Sequence, residues 1–189
     1  MQIIDQILEL DQDLLLYLNN LGSPSWDSFW LVITNKLTYI PLYMFLLFLM
    51  CKNLNKKSIL ILVLSLAAMI TFTDQITNLF KFSFERLRPC AQEGVMEQIR
   101  QSACWGYGFF SGHSSNTMAV AIFTILMLKS PNRKLIYLML PWSMVVGYSR
   151  IYLGLHYPLD ILCGLTFGVF SGFLFFTLFK YLERRLVVV

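Results

Sequence analysis

Residues 159–182 read LDILCGLTFGVFSGFLFFTLFKYL, with no charge between Asp160 and Lys180. A helix needs roughly 20 apolar residues to cross the hydrocarbon core of a bilayer, so this stretch reads as a membrane span. Four more segments qualify, at about 28–50, 58–80, 112–129 and 134–153. Composition agrees: 57% of the residues are hydrophobic and 14% charged, against roughly 25% charged in soluble domains. The expected fold class is all-α, a polytopic transmembrane helical bundle, and 189 residues suit one domain over 1–189.

The N-terminus has a different pattern. Residues 3–18, IIDQILELDQDLLLYL, mix apolar residues with Asp5, Glu9, Asp11 and Asp13. Residues 1–20 therefore read as an amphipathic helix lying along the interface, with a sixth span as the alternative. A cleavable signal peptide begins with positive charge, whereas this start is acidic, so nothing is expected to be removed.

Orientation follows from lysine and arginine. Lys52, Lys56, Lys57, Lys129, Arg133, Lys134, Lys180, Arg184 and Arg185 fall on one side if five spans alternate. That side is expected to be cytoplasmic. Lys36, Lys81, Arg86, Arg88, Arg100 and Arg150 fall on the other side with nearly all the acids. The net charge of +4 then reflects topology, and no basic run interleaved with aromatics suggests nucleic acid. Cys51 and Cys163 fall in or beside spans, while Cys90 and Cys104 share the long non-cytoplasmic loop over 90–110. If that compartment is oxidising, a disulfide closing the loop is expected. No cysteine pair has zinc spacing.

Three polar clusters fall at span ends on the non-cytoplasmic side. In KFSFERLRP, residues 81–89, Lys81 and Arg88 lie two helical turns apart and would point one way if the helix runs on to Pro89. Asp74 and Asn78 would brace Lys81 from one turn below, though charges snorkelling to a membrane surface would look the same. In FSGHSSNT, residues 110–117, Ser111 and Gly112 open a helix whose unpaired N–H groups suit an anion, with His113 in the first turn. In SRIYLGLHYPLD, residues 149–160, Arg150 ends one span, Pro158 suits the first turn of the next, and Asp160 follows His156 by one turn. An acid so placed can hold one imidazole nitrogen and leave the other free as a nucleophile.

Each cluster has an ordinary reading as a cap, a surface charge or a structural pair, but together they bring both histidines of the chain to one face with three cations. That set suits phosphoryl transfer, in which cations neutralise phosphoryl oxygens, one histidine attacks phosphorus and the other protonates the leaving oxygen. No cluster of carboxylates suggests a Mg²⁺ site, so no metal and no cofactor is expected.

These residues resemble the type 2 phosphatidic acid phosphatase family of membrane lipid phosphatases, relatives of vanadium haloperoxidases. Lys, six residues, Arg-Pro is met by Lys81 to Pro89, and Ser-Arg, five residues, His, three residues, Asp by Ser149 to Asp160. Pro-Ser-Gly-His is met by Phe110, Ser111, Gly112 and His113, with phenylalanine in place of the proline that shapes the turn. The resemblance implies His156 as nucleophile forming a phosphohistidine, Asp160 orienting it and His113 as general acid. Lys81, Arg88, Ser111, Gly112 and Arg150 would cradle the phosphate.

Spans place such a site where a lipid headgroup sits, near Trp105, Tyr107, Phe109 and Phe110. The expected partners are the bilayer and a membrane lipid phosphate, with oligomeric state open. The expected enzyme is a metal-independent lipid phosphatase of a bacterial cytoplasmic membrane, its site facing outward. Undecaprenyl pyrophosphate is the first expected substrate, with phosphatidylglycerophosphate and lipid A as alternatives. A vanadate-dependent haloperoxidase or a non-catalytic membrane protein are the rivals from other classes. Gly164, Gly168 and Gly172, at four-residue steps, suit close helix packing within the bundle.

Overall fold

The computed structural model describes residues 2–100, 104–128 and 136–187. They form α1 (Gln2–Asn20), α2 (Asp27–Thr34), α3 (Ile40–Cys51), α4 (Lys56–Phe84), α5 (Gly112–Met127), α6 (Met139–Tyr152) and α7 (Pro158–Val187). Lys129, Arg133 and Lys134 of the charge pattern, and residues 101–103 of the long loop, lie outside the described residues. The fold is a transmembrane helical bundle, and among the described residues extended pairing is limited to one bridge between Leu87 and Tyr107.

Helices α4 and α7 are long and apolar enough to cross a membrane by themselves. The span expected over 28–50 is broken: α2 and α3 meet at a 63° bend. The cause is local. Asn35 leaves helical geometry at φ −76°, ψ 120° and accepts from Leu37 N, while Pro41 in the first turn of α3 has no N–H to continue a ladder. Helices α5 and α6 run 16 and 14 residues, short of the roughly 20 of a full span.

Helix α5 occupies the centre, packed chiefly against α7, with α4 and α6 beside it. The glycine row makes this possible. A Cβ on Gly164, Gly168 or Gly172 would come within 2.6, 2.5 and 2.6 Å of the carbonyl oxygens of Ser111, Ser115 and Ala119. Side chains there would force α5 and α7 apart. Towards the end remote from these first turns, Phe123, Phe175 and Phe179 close with Met50, Leu62 and Met69. Lipid tails are as apolar as these side chains, so the gain is in packing contacts more than in removal from water.

Helix α1 turns two faces outward and one inward. Ile3, Ile4, Ile7 and Leu14 are exposed, whereas Asp11, Leu15 and Asn19, spaced by four, are buried. Asn19 ties α1 to two other segments: its Nδ2 reaches the carbonyls of Arg100, Ile151 and Tyr152, and its Oδ1 accepts from Arg100 N. The loop after α4 is closed by a disulfide between Cys90 and Cys104, with Cα atoms 5.9 Å apart.

Candidate active site

The first cluster departs from its expected geometry. Helix α4 stops at Glu85, whose left-handed φ of 47° turns the chain, four residues before Pro89. Lys81 remains on the helix, but Arg88 sits on an extended segment at φ −75°, ψ 155°. The bridge of Leu87 with Tyr107 and the bond from Gly108 N to Arg86 O (2.8 Å) fix this segment beneath the long loop. Arg88 Nη1 then donates to Leu155 O at 3.3 Å, next to His156. Asp74 accepts from Asn116 Nδ2 at 2.7 Å, and its charge also acts on Lys81.

The second cluster forms a helix start. Ser111 is the N-cap of α5, and its hydroxyl takes Ser114 N (3.4 Å) and Ser114 Oγ (3.1 Å). Ser111 N donates to Asp160 O at 3.0 Å, which ties this turn to the first turn of α7. Gly164 beneath allows that approach. Phe110, in the position of the resembled motif's proline, is buried between Phe80 of α4 and Phe167 of α7 at centroid distances of 5.2 Å.

The third cluster is a tight reversal between α6 and α7. Gly154, at φ 65°, lets Gly154 N and Leu155 N bond back to Ile151 O and Arg150 O. His156 is left buried, at 1% exposure. Its Nδ1 lies 3.3 Å from Asp160 Oδ2, which also accepts from Tyr157 N at 3.0 Å. Burial holds the His156 imidazole well below its ordinary pKa, and the charges of Arg150, Arg88 and Lys81 lower it further against a hydrogen bond to the Gly108 backbone. The ring is therefore neutral at pH 7, with Nε2 free of Asp160.

Cations surround this ring. Arg150, buried on α6, donates Nη1 to Thr34 Oγ1 at 2.6 Å. Among the described residues, the Nε atoms of both Arg88 and Arg150 are buried without a protein acceptor. Buried donors are normally paired, so two guanidinium groups with free donors beside a neutral imidazole suit an anion. His113 feels the charges of Arg150, Lys36 and Lys81 and is coupled to His156, which places it in the same electrostatic neighbourhood. Among the described residues no three His, Cys, Asp or Glu side chains converge as a metal site would need.

Sequence reasoning missed four contributors. Arg86 lies within the variable six residues of the first motif, yet donates to both Asp160 Oδ1 (2.7 Å) and Asp11 Oδ2 (2.6 Å). Asp11 and Thr34 come from the N-terminal third, and Gly108 packs so close that a Cβ would lie 3.1 Å from Asp160 Oδ2. The inward i, i+4, i+8 face of Asp11, Leu15 and Asn19 was the one available signal.

Residues 59–184 match the family model of the PAP2 superfamily. A lipid A 4'-phosphatase of Bacteroides thetaiotaomicron is 35% identical over 97% of this chain and 83% of its own length. A lipid A 4'-phosphatase of Porphyromonas gingivalis is 30% identical over 96% of this chain and 78% of its own. The crystal structure of Aquifex aeolicus LpxE shares the fold at a TM-score of 0.67 and 21% identity, covering 87% of this chain and 93% of that one.

Proposed function

The chain belongs to the PAP2 superfamily and is a membrane lipid phosphatase, and we propose that it removes the 4'-phosphate of lipid A on the outer side of a bacterial inner membrane. The substrate rests on the two relatives named for that reaction, which align with nearly the whole chain. An outward site alone favoured undecaprenyl pyrophosphate, and the relatives shift the weight to lipid A. The side of the membrane rests on the lysine and arginine pattern.

The observation that carries the chemistry is the His156 Nδ1 to Asp160 contact beside two arginines with free Nε donors. Asp160 holds Nδ1, so Nε2 attacks phosphorus: the N–P bond forms as the bond from phosphorus to the lipid oxygen breaks. His113 gives its proton to that oxygen. Lys81, Arg88, Arg150 and the turn at Ser111 and Gly112 neutralise the phosphoryl oxygens as charge spreads over them. Water, giving its proton to His113, then cleaves the phosphohistidine and releases inorganic phosphate. Every step draws only on groups of the chain and water, so turnover should survive EDTA.

The test is phosphate release by purified protein in detergent with EDTA, against lipid A bearing 4'- or 1-phosphate, undecaprenyl pyrophosphate and phosphatidylglycerophosphate. The 4'-phosphate should be released fastest, and His156→Ala should release none. Faster turnover of undecaprenyl pyrophosphate would overturn the substrate, and unchanged release by His156→Ala would overturn the mechanism.

A further inference from the structure

Asp160 presents two oxygens and each has its own task. Oδ2 takes Tyr157 N and faces His156 Nδ1. Oδ1 takes Arg86 Nη1 at 2.7 Å. The guanidinium continues the chain of contacts: Nη2 reaches Asp11 Oδ2 at 2.6 Å, and Cζ lies over the Tyr157 ring, 4.2 Å from its centroid. The second oxygen of Asp11 accepts from Leu159 N at 2.7 Å, an N–H of the first turn of α7. One carboxylate from α1 therefore caps the helix that carries Asp160 and grips the arginine that grips Asp160.

The arrangement has a physical logic. Asp160 is fully buried. A buried carboxylate without a cation takes up a proton, and a neutral acid orients an imidazole poorly. Arg86 supplies that cation, but a guanidinium has long, mobile reach and must be held to present one donor to one oxygen. Asp11 and the Tyr157 ring hold it, and the planar fork serves the two acids through separate nitrogens at a fixed spacing, which the single nitrogen of lysine does not offer. None of this is needed to seal α1 to the bundle, because Leu15 and Asn19 on the same face already pack and hydrogen-bond there.

We propose that Asp11 and Arg86 are positioning residues for phosphoryl transfer: α1 delivers Asp11, Asp11 fixes Arg86, and Arg86 fixes Asp160 against His156 Nδ1. The proposal rests on the reading of His156 as nucleophile. It makes the N-terminal helix part of the catalytic unit, although Asp11 precedes the residues 59–184 that match the family.

The experiment has a kinetic and a spectroscopic arm. In the first, Arg86→Gln and Asp11→Asn lower kcat by about 10- to 100-fold, as loss of a supporting hydrogen bond to a reactive group does. KM and inhibition by inorganic phosphate stay put, since Lys81, Arg88 and Arg150 are untouched. The double variant is no slower than Arg86→Gln, because both substitutions cut one chain of contacts. Asp11→Glu and Arg86→Lys keep their charges, are expected to fold, and fall between wild type and the neutral variants. Asp13→Asn, exposed on the same helix, turns over as wild type.

In the second arm, ¹⁵N-histidine spectra resolve the chain's two imidazoles. The His156 nitrogens shift in Arg86→Gln and Asp11→Asn while those of His113 do not. Wild-type kcat in both neutral variants, additive losses, or an unmoved His156 signal would overturn the proposal. If the wild-type protein releases no phosphate, the functional reading falls, and the spectra still decide whether Asp11 and Arg86 set the state of His156.

Discussion

The two ends of the α5–α7 pair are built on opposite terms. At one, Phe123, Phe175 and Phe179 meet Met50, Leu62 and Met69, and each contact is a close-packed version of what lipid would offer. At the other, Ser111, His156, Asp160 and Arg150 are buried together with polar groups that lipid could never satisfy. Burying charge costs more than a neighbouring charge returns, unless hydrogen bonds complete the set. Here, among the described residues, two arginine Nε atoms are left without acceptors, so the polar end is a liability for stability that the proposed function would require. Stability and activity are thus separated along one helix axis.

The sharpest attempt to break that separation is Arg150→Met. Loss of a buried cation from the proposed phosphate cradle should cut kcat/KM by about 10²- to 10³-fold. The apparent Tm should hold or rise, because a buried charge whose Nε has no acceptor among the described residues is gone, at the loss of one hydrogen bond to Thr34. Phosphate-release assays and thermal denaturation in one detergent decide it, and a clear drop in Tm would show that Arg150 supports the fold.

Phe123→Ala is the mirror experiment. Phe123 is fully buried, and truncation of a core phenylalanine costs about 3–5 kcal/mol, with the lower part of the range expected in lipid. Stability against denaturant should fall while kcat per folded molecule is retained. A collapse of kcat at equal folded fraction would mean that the two ends are mechanically coupled.

The glycine row runs between the ends and grades the effect. Gly164→Ala and Gly168→Ala each place a methyl within 2.6 Å of a carbonyl oxygen of α5, and such overpacking costs about 1–3 kcal/mol. Only at Gly164 does that carbonyl belong to Ser111, the N-cap of α5. Gly164→Ala should therefore lose activity as well as stability, and Gly168→Ala stability alone. Equal losses of activity would sink the distinction.

The sequence made the same end legible and hid its supports. Spans were readable because about 20 apolar residues have one use in a chain. The three clusters were readable because their spacing is local: His156 and Asp160 are one turn apart, and Ser111, Gly112 and His113 are consecutive. What failed was whatever depends on distant contacts or on one residue's backbone. Glu85 takes a left-handed φ that glycine or asparagine would have advertised, so nothing in the sequence marks the end of the helix before Pro89. The break after Thr34 looked like one apolar span because Asn35 and Lys36 are only two polar residues in a long hydrophobic run. Asp11 read as one acid among four on an interfacial helix, and its partners lie 75 and 148 residues away.

Acid should expose the polar end selectively. His156 is held below its ordinary value of 6.5 by burial and by Arg150, Arg88 and Lys81. Above that value neither folded nor unfolded chain protonates it. Below it the unfolded chain binds a proton that the folded ring refuses, so stability falls as pH drops. The slope from this one group is at most about 1.4 kcal/mol per pH unit. Comparing unfolding of wild type and His156→Asn from pH 7 to pH 5 isolates it, and parallel curves would mean that the ring titrates normally.

The smallest effect is the most informative about the bent span. Thr34 ends α2 just before the 63° bend, and its hydroxyl accepts Arg150 Nη1 at 2.6 Å. An unbroken helix over 28–50 would have no reason to stop at that contact, so the bend and the arginine's orientation are parts of one device. Thr34→Val keeps the shape and removes the acceptor. The hydrogen bond is to a charged group, worth about 1.5 kcal/mol or more, so Tm should fall by a few degrees and kcat/KM by up to roughly tenfold. If Thr34→Val turned over as wild type, the bend would be a packing feature alone, and the orientation of Arg150 would not depend on Thr34.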